Sequence, residues 1–173
     1  AHLVGAAVLG AGFAGAFGAV GLGGLAGRAH DLGKYSAAFQ RRLGGSTERV
    51  DHATAGAAEC CKLEQICSAF AVAGHHGGLP DGGGQGDHWE EGTFWGRMRR
   101  AVQGKLEPYG AWEKEFKLPA VPKRRFSGLL EEMFFTRMLY SCLVDGDFLD
   151  TETFMAGGEK ERGGGEPMEM LED

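Results

Sequence analysis

Five of the six histidines in this 173-residue chain fall into one series with acidic residues: His2, the pair His30-Asp31, His52, the pair His75-His76, and then Asp145 and Asp147. Imidazole and carboxylate together suit divalent manganese, iron, nickel, cobalt or zinc, and one carboxylate can bridge two ions. The series therefore reads as a two-metal hydrolase site. No Ser-His-Asp arrangement is apparent, and such a site needs no covalent nucleophile, because the ions polarise a phosphoryl oxygen and lower the pKa of water. A His-Asp dipeptide alone is common by chance; its weight comes from the longer string His30-Asp31-Leu32-Gly33-Lys34. Lys34 can offer a positive charge to a phosphate, the alternative being a solvated surface lysine. His75-His76 either caps a loop or supplies ligands at a helix end facing the glycines that follow. His52 can equally be a helix-start histidine, and His88 fits no pattern.

The elements that must position these residues read as helices. A first helix is expected over residues 3–30, with Leu9, Phe13, Phe17 and Val20 at helical spacing. Ser36 is the expected N-cap of a short helix ending at Gly44-Gly45, and Asp51 of another beginning near His52. The apolar run from Ile66 to Ala73 leads into Gly74-His75-His76, and a loop follows over residues 77–86. Residues 89–106 read as a helix, Pro108, Pro119 and Pro122 as an irregular connector, and residues 127–149 as the last strong helix. In that helix Leu130, Phe134, Met138, Cys142 and Leu149 share one face, and Asp145 falls on the same inward phase. The expected fold class is all-α, with one domain over residues 1–153 and a disordered glycine- and glutamate-rich tail over 154–173.

Composition sets further bounds. The chain has 31 glycines, against a usual share of about 7%. Nine of them lie between Gly5 and Gly27, and each interior glycine costs a helix about 0.5–1 kcal/mol relative to alanine. The first helix is thus weak alone and must be held by packing, by metal or by neighbours outside this sequence. Cys60, Cys61, Cys67 and Cys142 form no regular framework and read as reduced thiols of a cytosolic protein. No stretch reads as a membrane span. The net charge of −6 does not by itself suggest a nucleic-acid partner. Residues 97–125 nevertheless carry nine of the eighteen basic residues against three glutamates. With Trp95 and Trp112 nearby, that segment could hold a single strand by stacking in a basic groove; the alternative is a solvated basic helix with core tryptophans.

Several strings in order resemble one known family. These are His30 to Ser36, Phe39 to Leu43, Val50-Asp51-His52 with Thr54 to Ala57, Gly74 to Asp81, Arg137-Met138-Leu139 with Ser141 to Asp145, Asp147, and Leu149 to Glu152. Together they resemble the HD nuclease domain of the CRISPR type I effector nuclease-helicase, over roughly residues 2–153. The resemblance implies an all-α HD-domain helical bundle with a two-metal site, whose N-terminal edge is expected to be truncated here. It implies metal-dependent endo- or exonuclease cleavage of single-stranded DNA in prokaryotic, cytoplasmic antiviral defence, with the surveillance complex as a partner. No Gly-x-x-x-x-Gly-Lys-Ser/Thr motif occurs, so a helicase is expected as a separate subunit.

Carried over residue by residue, His2, His30, Asp31 and the late aspartate correspond to the ligands of one divalent ion. Asp31, His52, His75 and His76 correspond to those of the other, with Asp31 bridging and Lys34 in the catalytic set. The cations implied are Mn, Ni, Co, Fe or Mg. The family pattern of aspartate, small residue, aspartate favours Asp147, whereas helical phase favours Asp145. Two other functions stay open: an HD-type phosphohydrolase of nucleotides, and an inactive fragment acting only as an interaction module.

Overall fold

The glycine-rich N-terminal segment folds back on itself. The computed structural model describes residues 2–84 and 86–158, and over them the chain is helical, without strands. Helix α1 spans His2–Ala14 and α2 spans Val20–Ala29, joined through a 3-10 turn at Gly15–Phe17. The single helix expected over 3–30 is therefore two, broken where Gly18 takes a left-handed φ of 70° that favours glycine. The inward residues of α1 are Ala6, Ala7, Gly10 and Ala14, while Phe13 and Val20 are 38% and 56% exposed. The large side chains at helical spacing did not mark the buried face, because α1 and α2 pack backbone to backbone. A Cβ on Gly23 would sit 2.3 Å from the Gly10 carbonyl oxygen. The glycines that weaken each helix alone are what let the two approach.

The middle of the chain follows its capping signals. Ser36 accepts a hydrogen bond from the Phe39 backbone N–H at 3.3 Å and starts α3 (Ala37–Leu43), which gives way at Gly44. Asp51 accepts from the Thr54 backbone N–H at 3.1 Å and caps α4 (Ala53–Lys62). Helix α5 is Ile66–Gly74. Helix α6 is shorter than the expected 89–106: it spans Phe94–Val102, because Thr93 caps it by accepting from the Gly96 N–H at 3.1 Å.

Helix α7, Leu129–Ala156, starts two residues inside the expected 127 and runs past the expected end at 149. Residues 154–156, assigned from sequence to the tail, are helical; the part of that tail over 159–173 lies outside the described residues. The buried face of α7 is Phe135, Leu139, Cys142, Leu143 and Gly146. Leu130 and Phe134, expected inward, are 81% and 65% exposed, so that expected face is rotated. The helix is apolar on several sides, and packing against α1 and α5 selects which one is covered.

Helix α2 lies at the centre, touching α1, α4, α5 and α7. Its Leu22, Leu25, Ala26 and Ala29 join Val72 of α5 and Leu139 and Leu143 of α7 in one core. All four cysteines are free thiols. Among the described residues no helix is long and apolar enough to cross a membrane.

Candidate metal centre

Packing around α2 gathers the ends of four helices at one point. His2 opens α1, His30 follows the last residue of α2, His52 precedes α4 and His75 follows α5, while Asp147 comes from within α7. Their donor atoms form two groups that could each hold a metal ion: Asp31, His52, His75 and His76, and then His2, His30 and Asp147. Within each group the atoms lie within 4.8 Å of one another. Asp31 stands between them. Its Oδ1 is 3.5 Å from His52 Nε2 and 3.7 Å from His75 Nε2, and its Oδ2 is 3.2 Å from His30 Nε2 and 3.6 Å from His2 Nε2. Asp147 Oδ1 completes the second group, 3.1 Å from His2 Nε2 and 3.5 Å from His30 Nε2.

The rings are oriented from behind. His30 Nδ1 donates to the Gly27 carbonyl at 2.9 Å and His75 Nδ1 to the Val72 carbonyl at 2.7 Å. Carbonyls in the last turn of a helix lack intrahelical partners, so they are available acceptors. Each such bond turns Nε2 toward the centre, the arrangement by which a second partner fixes a metal-binding histidine. His30 Nε2, His75 Nε2 and Asp31 Oδ1 are buried with no hydrogen-bond partner of their own. Buried polar atoms are nearly always paired. Three unpaired at one point, all of metal-ligand type, fit a bound cation.

Charge is balanced tightly. Burial alone would lower the His30 pKa, but the carboxylates of Asp147 and Asp31 outweigh it and raise it to about 9. Burial opposes ionisation of Asp31, yet His30, His75 and Lys34 hold it far below the usual carboxylate range. Burial likewise opposes ionisation of Asp147, and His30 and His2 overcome it and lower its pKa. His52 is pushed down to about 4, first by burial and then by His75, His76 and Lys34 against the pull of Asp31. Neutral at physiological pH, His52 keeps a ring lone pair that a metal ion could take. Lys34 Nζ lies 2.5 Å from Asp31 Oδ2 with its side chain 37% exposed, so it borders both the bridge and solvent.

No family model matches the chain, and no curated protein matches it. What the centre can do follows from its own side chains. Of the sequence candidates, His2, His30, Asp31, Lys34, His52, His75, His76 and Asp147 come together. Asp145 does not: it is exposed, contrary to its expected inward phase. Gly146 is where α7 meets α1, a Cβ there lying 3.0 Å from the Gly10 nitrogen, and His2 and His30 stand on the Asp147 flank of that contact. The residues on either side are about 100° away in opposite senses. Asp147 turns to the histidines and Asp145 to solvent.

The basic segment has a second use that sequence reasoning missed. Arg97 bonds the Thr54 hydroxyl at 2.7 Å, the Ala73 carbonyl at 2.8 Å and Asp51 at 3.3 Å. It thereby ties the start of α4, beside His52, to the end of α5, beside His75. Arg100 also pairs with Asp51. Elsewhere Arg124 lies over Phe135 at 4.5 Å, Lys105 over Trp89 at 4.1 Å, and Lys123 pairs with Glu64 at 2.7 Å. Trp112 is a core residue, 6% exposed, and offers no face for a base to stack on. A signal for Arg97 existed in the acid at Asp51 immediately before a candidate ligand, but its partner is far away in sequence.

Proposed function

We propose that the chain is a metal-dependent phosphodiester hydrolase, a nuclease of single-stranded DNA. The observation that carries the hydrolase reading is Asp31, buried between two ligand groups with one carboxylate oxygen toward each. In this reading His2, His30, Asp147 and one oxygen of Asp31 hold one divalent ion. His52, His75, His76 and the other oxygen hold a second. When bound, such a pair of ions supplies charge stabilisation at the phosphoryl group and an acidified water. The imidazole-rich donor set favours Mn, Fe, Co or Ni over Mg, which prefers oxygen and retains its own waters.

The chain's own residues do the rest. The Lys34 ammonium, half exposed beside Asp31, offers a positive charge to a phosphate of the strand. His76, exposed at the edge, and the glycines after it leave the second group open to a long substrate. Single-stranded DNA as substrate, and a surveillance complex and separate helicase as partners, follow from the family resemblance of the motifs.

A second reading, phosphohydrolysis of nucleotides, is favoured by one observation. A hollow of about 400 Å³ adjoins the centre, lined by His52, His76, Gly77, Leu79, Pro80 and Arg97 among others, and that is the size of a small-ligand site. The deciding experiment strips the protein with chelator, restores Mn, Ni, Co or Mg singly, and offers a single-stranded oligonucleotide, its duplex, and nucleotides. Ion-dependent cutting of the single strand is expected. Turnover of nucleotides with the strand intact would select the second reading. Neither reaction, with well under one ion bound per chain, would sink both.

A pair of substitutions on α7 tests the ligand set. Asp147→Ala is expected to remove one of two bound ions, and Asp145→Ala to leave metal content unchanged, by elemental analysis of the purified protein. Equal loss in both would refute the assignment of Asp147.

A further inference from the structure

We infer that Asp150, three residues beyond Asp147 on α7, is a positioning residue for His2 and sets the affinity of the His2–His30–Asp147 group for its ion; the inference rests on the metal reading above. His2 Nδ1 donates to Asp150 Oδ2 at 2.6 Å, while His2 Nε2 lies 3.1 Å from Asp147 Oδ1. Residues three apart share a helix face, so one imidazole is held between two carboxylates of a single helix. One carboxylate sits behind the ring and the other stands among the proposed ligands.

The chain needs this partner because of where His2 sits. His30 and His75 close their helices and find unpaired carbonyls three residues back. His2 lies in the first turn of α1, where the carbonyls are engaged by the helix and the unpaired backbone groups are N–H donors. The acceptor for Nδ1 comes instead from another element, α7. Helix α1 makes room for it: a Cβ on Gly5 would lie 1.6 Å from Asp150 Oδ1, so the carboxylate occupies the space that glycine leaves. The same bond ties the first turn of α1 to α7, so the ligand and its helix are placed together.

The test is a manganese titration of the full chain by calorimetry, with His2 tautomer read by nitrogen NMR. Wild type is expected to take up two ions, with His2 carrying its proton on Nδ1. Asp150→Ala should weaken one ion by roughly 10–100-fold, the usual effect of removing a partner behind a metal-binding histidine. The second ion should bind as before, and the His2 tautomers should mix. Asp150→Asn keeps an acceptor oxygen and the same shape; it should fall between the two and guards against a variant that fails to fold. Asp145→Ala, on the exposed side of α7, should match wild type. Both ions weakening together, or neither weakening, would overturn the role of Asp150. Wild-type protein that takes up no ion would instead remove the metal reading itself, and this inference with it.

Discussion

Asp31→Asn is expected to weaken ion binding at both groups, abolishing it at one, and to lower strand cleavage by roughly three orders of magnitude or more. The residue is 3% exposed, and its two oxygens face different sets of histidines. Asparagine keeps the shape but turns one oxygen into an N–H donor, so at most one group would retain a ligand atom there. It also removes the negative charge that His30 and Lys34 face. Losing one partner of a buried charge pair costs about 3–5 kcal/mol where the other charge stays buried. Lys34 can swing to solvent, but His30, fully buried, cannot. The expected structural cost therefore falls on His30, as a lower melting temperature in chelator. Metal analysis, cleavage rate and thermal unfolding on the same preparation check all three. Two ions still bound with undiminished cutting would reject Asp31 as the bridge.

The second large effect is structural and reaches the centre through the backbone. Gly56→Ala would put a Cβ 1.8 Å from the carbonyl oxygen of Ala29 and 3.0 Å from Val72 Cγ1. Neither neighbour can rotate away cheaply, since the first is backbone and the second is packed in the core. Overpacking of this kind costs about 1–3 kcal/mol or more, against which alanine recovers about 1 kcal/mol of helix propensity. Because the clash is unusually deep, a net loss of about 3 kcal/mol is expected. For a chain of this length that lowers the melting temperature by roughly 6–12 °C. Ala29 immediately precedes His30-Asp31, so the same shift should weaken both ions. Gly12→Ala is the matched control: it is exposed with nothing within 4 Å of a Cβ, and should raise stability by about 0.5–1 kcal/mol. Equal effects at Gly12 and Gly56 would mean that α4 and α2 do not pack at this glycine.

Local chemistry in the sequence was legible where it acts over a few residues. Ser36 and Asp51 start helices because a side-chain oxygen reaches a backbone N–H three residues on, an interaction the chain carries wherever it packs. The all-helical class followed from the same local signals. Features that depend on what lies opposite were misread. Leu9, Phe13, Phe17 and Val20 have helical spacing, yet the buried stripe of α1 is Ala6, Ala7, Gly10 and Ala14. Size marks a buried face only when the partner stands a side chain away, and here the partner is backbone. The basic run was left open between a strand-binding groove and a solvated helix with core tryptophans; Trp112 is core, and Arg97 and Arg100 are bound to Asp51 and Thr54, more than forty positions earlier.

By itself, then, the sequence determined the candidate ligand types, their order and the helix ends on which all but one of the histidines and Asp31 sit. A cluster of imidazoles and carboxylates carries its chemistry in its residue types. Only the tertiary structure decided that these ends converge, that Asp31 divides its oxygens between two groups, and that Asp147 rather than Asp145 faces them. For Asp147 the physical reason is the contact at Gly146, which sets Asp145 and Asp147 on opposite flanks, together with the histidines that gather on the Asp147 flank. Helical periodicity fixes the angle between neighbouring residues but not the side that meets another helix. That side was chosen by Gly10 of α1, a residue 136 positions away with no side chain to advertise it.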